Sequence, residues 1–372
     1  MARARPSLKD VAELAGVSTA TVSNVFSQSK PVNPKLATKV RRAAEKLGYS
    51  IDRAAAQVRS GRTRIVAVMV PDLTDTFFAT IVSSLETMAY RHGYDVIVAS
   101  SQNDPVVEKS RLRAVLSWKP AGLIFNPCSD IIPEEVRQRT VDLPVVLFDR
   151  VSPLETLADT VTLDNIDAGR VAARHLLAMG HRNIVIGISQ REFAPLADRI
   201  AGAVELISQY PGGNAILLDM GSDIEIGKQA FAAWLERNPI PDAVIALTNI
   251  TTLGVLSACA EHRIDIPGKM SIVAFDDYAW MAARNTGLTA IRQPVQAMAD
   301  AAWQRLMLRM EAKEAVPVKP TVLRGSLIVR ASVKDISDPS PHAREEAATA
   351  EGSFDPSGTQ TTMPIKVGKM IH

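Results

Sequence analysis

The sequence predicts an α-helical head followed by a larger α/β body with parallel sheets, and three observations carry that expectation. Charge is uneven: the first 63 of 372 residues hold 12 Lys and Arg against 4 Asp and Glu, whereas the remaining 309 hold 30 against 36. In the head, apolar residues recur at helical spacing in three short runs punctuated by Gly16, Pro34 and Gly48. Beyond Arg64 the texture changes to apolar runs of strand length separated by helical stretches, the pattern of a parallel α/β architecture.

Ser7 followed by Asp10 reads as a capping box, and Leu8, Val11, Ala12, Leu14 and Ala15 then keep helical spacing, so the first helix is expected over about 7–15. Gly16 supplies the turn and Val17 plugs it. Ser18 caps a second helix running to Phe26, whose inward side is Ala20 or Thr21, with Val22, Val25 and Phe26. Two short helices joined in this way make a helix-turn-helix. Asn33-Pro34 opens a third helix, with Leu36, Val40, Ala43, Ala44 and Leu47 inward and Gly48 closing it.

The second helix is short and polar because it is suited to a DNA major groove. A basic segment attracts a polyanion by releasing counterions. Thr19, Ala20 and Asn24 are of a size to approach base edges, while Ser18, Thr21 and Ser23 can donate to phosphates. An Asn at position 24 suits adenine, which offers a matching acceptor and donor.

At these residues the sequence resembles the LacI/GalR family of bacterial transcription regulators. The stretches "LKDVAELAGVSTATVSNVF", "KVRRAAEKLGY" and "RSGRTRIVAVMVPDLTDTFFA" follow its amino-terminal pattern, and the resemblance continues to about residue 332. The family commonly carries Arg where Asn24 stands, which implies a variant half-site. The resemblance also makes "SIDRAAAQVRSGRT" a hinge helix, with Val58 as the minor-groove wedge in place of the usual Leu and Ile51-Asp52 in place of the common Pro-Asn. The expected organisation is a helix-turn-helix domain over 1–50, hinge and linker over 51–63, an effector-binding and dimerisation domain over 64–332, and a disordered tail over 333–372.

In the body, buried strands are read at "RIVAVMV", "YDVIVAS", "AGLIFNP", "VVLFDR", "NIVIGIS", "AVIALTN" and "SIVAFDD". The resemblance implies a two-lobed, periplasmic-binding-protein-like core, with crossings near Leu163, Ile291 and Leu323. Ligands of open parallel sheets sit outside the carboxyl ends of the strands. The residues there include Asp72, Asp75 and Phe77, then Asn126, then Asp149 and Arg150, and later Asn249 and Asp276. Carboxylates, amides, a guanidinium and aromatic rings in one cleft suit a small polyol or sugar. The resemblance places effector contacts at Asp149, Arg199, Thr248-Asn249 and Asp276, with Thr248 standing where many members carry Asn.

The remaining features set limits. No apolar run approaches the roughly 18 residues a membrane span needs, and "MARARPSLKD" lacks the apolar core of a secretory signal. A cytoplasmic protein is expected. Cys128 and Cys259 lie far apart and read as small core residues, and the histidines at 92, 175, 181 and 262 have no metal spacing, so no metal or cofactor is expected. Trp280 is placed to stack on a ligand or to join the core. No phosphate loop or catalytic triad order appears, which argues against an enzyme. The tail carries no leucine heptad, favouring a homodimer on a near-palindromic double-stranded operator. The expected function is a ligand-responsive transcriptional regulator, acting as a repressor, with a sugar-like effector between the lobes as inducer. A corepressor-dependent regulator and a sugar-binding module that does not act on DNA are the alternatives.

Overall fold

The computed structural model of the chain describes residues 6–27, 31–49, 63–152 and 154–337. The head holds α1 (Leu8–Ala15), α2 (Thr19–Ser27) and α3 (Pro34–Leu47). Ser7 and Asp10 form the capping box reciprocally, and Gly16 and Gly48 close α1 and α3 in the left-handed conformation that a Cβ disfavours. Asn33 Oδ1 accepts the Lys35 N–H ahead of Pro34. Val11, Ala12, Ala15, Val22, Val25, Val40, Ala43 and Ala44 make the buried core, with Val17, Phe26, Leu47 and Tyr49 packed around it. Ala20 is exposed and Thr21 half-buried, so Thr21 takes the inward position. The hinge residues, Val58 among them, lie outside the described residues.

The chain divides into two compact units, one of residues to Thr162 with Val295–Leu323 and the other of Leu163–Pro294 with the residues from Arg324. In the first unit the elements after the head are β1 (Ile65–Val70), α4 (Thr76–Arg91), β2 (Asp95–Ser100), α5 (Pro105–Ser117), β3 (Gly122–Phe125), α6 (Glu134–Arg137), β4 (Val145–Phe148) and β5 (Asp159–Leu163). In the second they are α7 (Asn165–Ala178), β6 (Asn183–Ile188), α8 (Ala194–Gln209), β7 (Asn214–Asp219), α9 (Ile224–Leu235), β8 (Ala243–Ala246), α10 (Asn249–Glu261), β9 (Ser271–Phe275), α11 (Ala279–Ala282) and β10 (Thr289–Arg292). Then α12 (Val295–Glu311) and β11 (Pro320–Leu323) return to the first unit, and β12 (Ser326–Ile328) to the second.

The two sheets repeat one order: β2-β1-β3-β4-β5-β11 in the first and β7-β6-β8-β9-β10-β12 in the second. Pairing is parallel from β2 through β5 and from β7 through β10, while β12 runs antiparallel to β10. Central strands such as β1, β3, β4 and β8 are buried on both faces, which is why they read as unbroken apolar runs. The edge strands β2 and β7 are only half-covered.

In the second unit α7 and α8 cross at glycines. A Cβ on Gly169 would collide with the Arg199 carbonyl oxygen, and one on Gly202 with that of Ile166, so both backbones touch only because these side chains are absent. The chain expected to lose order from Val333 stays docked further: Val333 packs on the core around β6, Lys334 N–H donates to Ser271 Oγ at 3.0 Å, and Ile336 N–H to the Met179 carbonyl at 2.8 Å. Those bonds hold five residues that polar composition alone assigned to the tail.

Candidate recognition helix and ligand-facing strand ends

The residues expected at DNA around α2 are placed unequally, and Thr21 is turned inward. Ser18, Thr19, Ala20 and Ser23 are exposed and Asn24 is half-buried, while Val22 and Val25 anchor the opposite side. Ser18 Oγ accepts the Thr21 N–H at 3.1 Å and lies 2.9 Å from Thr21 Oγ1, so the inward-turned Thr21 is held within the start of the helix and is not free on its outward face for a phosphate.

At the carboxyl ends of the strands the two units carry one device built twice. Asp149 follows β4 with φ 57° and Asp276 follows β9 with φ 78°, a left-handed conformation uncommon outside glycine. Each aspartate donates its backbone N–H to the next strand, Asp149 to Val161 at 2.9 Å and Asp276 to Ile291 at 2.8 Å. Each carboxylate then receives a buried side-chain amide: Asn126 Nδ2 reaches Asp149 Oδ2 at 3.3 Å, and Gln293 Nε2 reaches Asp276 Oδ1 at 2.6 Å. In both amides the oxygen is buried with no hydrogen-bond partner among the described residues, as is Asn249 Oδ1 at the start of α10. A buried acceptor left unpaired is costly. Three of them stand beside strand ends, open to a hydrogen-bond donor.

Arg199 is the buried donor of the second unit, 4 % exposed. Its Nε donates to Asn165 Oδ1 at 2.9 Å and its Nη1 to the Leu247 carbonyl at 2.8 Å, and its guanidinium lies 4.5 Å from the Phe275 ring centroid. In the first unit Arg150 donates to Asn103 Oδ1 at 2.7 Å and stands over Phe78. Burial pulls the Arg150 guanidinium below its usual range, against the charges of Asp149 and Asp75.

Three expected ligand groups have other work. Asp72 Oδ1 accepts both the N–H and the hydroxyl of Thr74 at 2.8 Å, shaping the turn before α4. Phe77 is buried in the core beside β1, edge-on to Phe78 at 5.1 Å and near Phe148. Thr248 is the N-cap of α10 in a capping box with Thr251, which leaves Asn249 as the amide of that pair. Trp280 packs on the core around β9. Burial pushes the thiols of Cys128 and Cys259 up to about 12, so both are inert.

Residues 7–52 match bacterial regulatory proteins of the lacI family, and residues 173–333 match the periplasmic binding protein-like domain. Over 339 residues the chain is 30% identical to the HTH-type transcriptional regulator PtxS of Pseudomonas plecoglossicida, spanning 89% of this chain and 96% of that protein. The chain belongs to the LacI family. Its fold matches that of the lac repressor dimer bound to operator and the anti-inducer ONPF, with a TM-score of 0.78 at 23% identity over 89% of this chain and 100% of the other. It also matches the transcriptional regulator CelR in complex with cellobiose, with a TM-score of 0.63 at 25% identity over 88% and 100%.

Two participants in these hydrogen bonds of the second unit escape the sequence. Gln293 follows β10 and Asn165 follows β5, yet neither strand was among the seven read from apolar runs. The rule of inspecting residues after each strand therefore had nothing to follow there. The four-residue "TAIR" and the Thr-containing "DTVTL" are strands because they pair with β9 and β4, a long-range condition.

Proposed function

We propose that this LacI-family regulator represses transcription as a homodimer. The exposed face of α2 reads each half of a near-palindromic operator, and a sugar acts as the inducer that loosens this hold. The observation that carries the effector reading is the twice-built aspartate–amide pair. In the first unit Asp149 with the unpaired oxygen of Asn126, and in the second Asp276 with those of Asn249 and Gln293, each make a set of acceptors. Such a set favours a ligand rich in hydroxyl donors, with Arg199 supplying donors in return. The cellobiose complex of CelR supports a sugar as the ligand class. The protein acts by binding and not by catalysis, in the compartment that holds the chromosome, the cytoplasm. Among the described residues no helix is long and apolar enough to cross a membrane. The hinge, with Val58 as wedge, belongs to the same reading.

The test is selection of genomic fragments on the purified protein at near-physiological salt, followed by titration of sugars against the retained DNA. A short near-palindrome released by a sugar is expected. Retention without sequence preference overturns operator reading, and a sugar that tightens binding makes the effector a corepressor. Asn24→Arg should shift base preference in each half-site by about 1–3 kcal/mol per base pair. An unchanged preference in the same selection rules out direct readout by this residue.

A further inference from the structure

We infer that Glu108 is a positioning residue for the ligand-facing end of the first unit, receiving the Cys128 N–H and so fixing the loop that aims Asn126 at Asp149. The inference rests on the reading of Asn126 and Asp149 as effector ligands. Glu108 sits in the first turn of α5 and is only 1 % exposed, an unusual place for a carboxyl group. It accepts the Cys128 N–H through Oε2 at 2.6 Å.

The sequence of the loop explains why one bond there has such leverage. Asn126 is followed by Pro127, which has no N–H to give, so the first backbone donor after Asn126 is Cys128. Asn126 itself is tied by its N–H to the Met69 carbonyl at 2.9 Å. The two anchors thus lie on either side of the proline, one on β1 and one on Glu108. Between them the Asn126 side chain has its amide on Asp149 and its oxygen unpaired. The neighbouring loops are tied into the same end: Arg150 to Asn103, Ser101 N–H to the Val70 carbonyl, and Glu108 N–H to the Asp104 carbonyl. Burial holds the Glu108 carboxyl above its ordinary range, while the Cys128 hydrogen bonds and the Arg150 charge draw it down. Such a costly group in a core is accounted for by the acceptor it provides, and an amide oxygen at the same place would provide it too.

The test compares the full-length chain with Glu108→Gln, Glu108→Ala and Glu108→Asp, the last keeping the acid while withdrawing its oxygens by one carbon. Amide hydrogen exchange is followed over 122–130, and D-glucose, D-ribose and cellobiose serve as titration probes. Glu108→Ala and Glu108→Asp should exchange faster in that segment alone and bind whichever sugar the wild type binds about tenfold more weakly, the weight of one lost hydrogen bond. Glu108→Gln should restore both, and affinity for the operator DNA without sugar should stay within about twofold in every variant that folds. Unchanged exchange over 122–130 overturns the proposal. So does loosening spread through the whole unit, or a Glu108→Gln variant as impaired as Glu108→Asp. If none of the three sugars binds the wild type, the sugar reading fails by itself and the exchange comparison still decides the role of Glu108.

Discussion

The two α/β units share a strand order but secure their strand-end aspartates from opposite sides. In the first, the amide comes from Asn126 after β3, the strand preceding that of Asp149 in the sheet. In the second, it comes from Gln293 after β10, the strand beyond that of Asp276. Their buried charges differ as well. Each clasps a buried carboxylate between two arginines, Asp159 with Arg305 and Arg309 in the first and Asp277 with Arg292 and Arg330 in the second, but the first adds a buried acid, Glu108. The second adds a buried cation, Arg199, whose hydrogen bonds go to two neutral oxygens. The lesson is that a fold constrains where polar groups gather while leaving the sign and source of each group free.

The largest test of this contrast is Asp159→Ala. It strands two largely buried guanidiniums and removes the acceptor of the Lys319 N–H. Breaking such a pair costs about 3–5 kcal/mol, so the midpoint of urea unfolding should fall steeply; a small shift would mean that the arginines find water instead. Next is Gly202→Ala, which pushes α8 away from the Ile166 carbonyl oxygen. Overpacking of this kind costs about 1–3 kcal/mol, and because Arg199 rides on α8 the variant should also lose sugar affinity, read by calorimetry. Smaller are Asn126→Leu and Gln293→Leu, each expected to weaken sugar binding about tenfold. If only one does so, the two devices are alike in geometry and not in function.

The smallest effect is in pH. The folded pKa of Glu108 is raised above its ordinary value of 4.5, so the stability it contributes is full below 4.5 and is lost as pH rises through the folded value. Glu108→Gln lacks that loss, and its stability relative to wild type should improve as pH is raised from about 4. Asp159 has the opposite sign. Burial acts to raise its pKa, but the hydrogen bonds from Arg309, Arg305 and Lys319 outweigh it and leave it below 3.8. Its contribution is present above 3.8 and is lost as pH falls through the folded value. Parallel chemical denaturation of Glu108→Gln and Asp159→Asn across acid pH separates the two.

The sequence by itself determined what is local in this protein. Ser7 with Asp10, Asn33 before Pro34, and Gly16 and Gly48 set the head helices through bonds that reach no more than a few residues. Unbroken apolar runs announced β1, β3, β4, β6, β8 and β9, and so the polar positions after several of them. Only the tertiary structure decided which of those positions are taken up by the core or a helix cap and which stay at the strand ends. Phe77 went to the core and Thr248 to a helix cap, while Gln293 and Glu108 joined the strand ends unannounced. The physical reason is separation along the chain. A cap is satisfied within three residues, but Asp159 meets Arg305 across 146, and a partner so distant is chosen by strand order and packing, which no local pattern encodes.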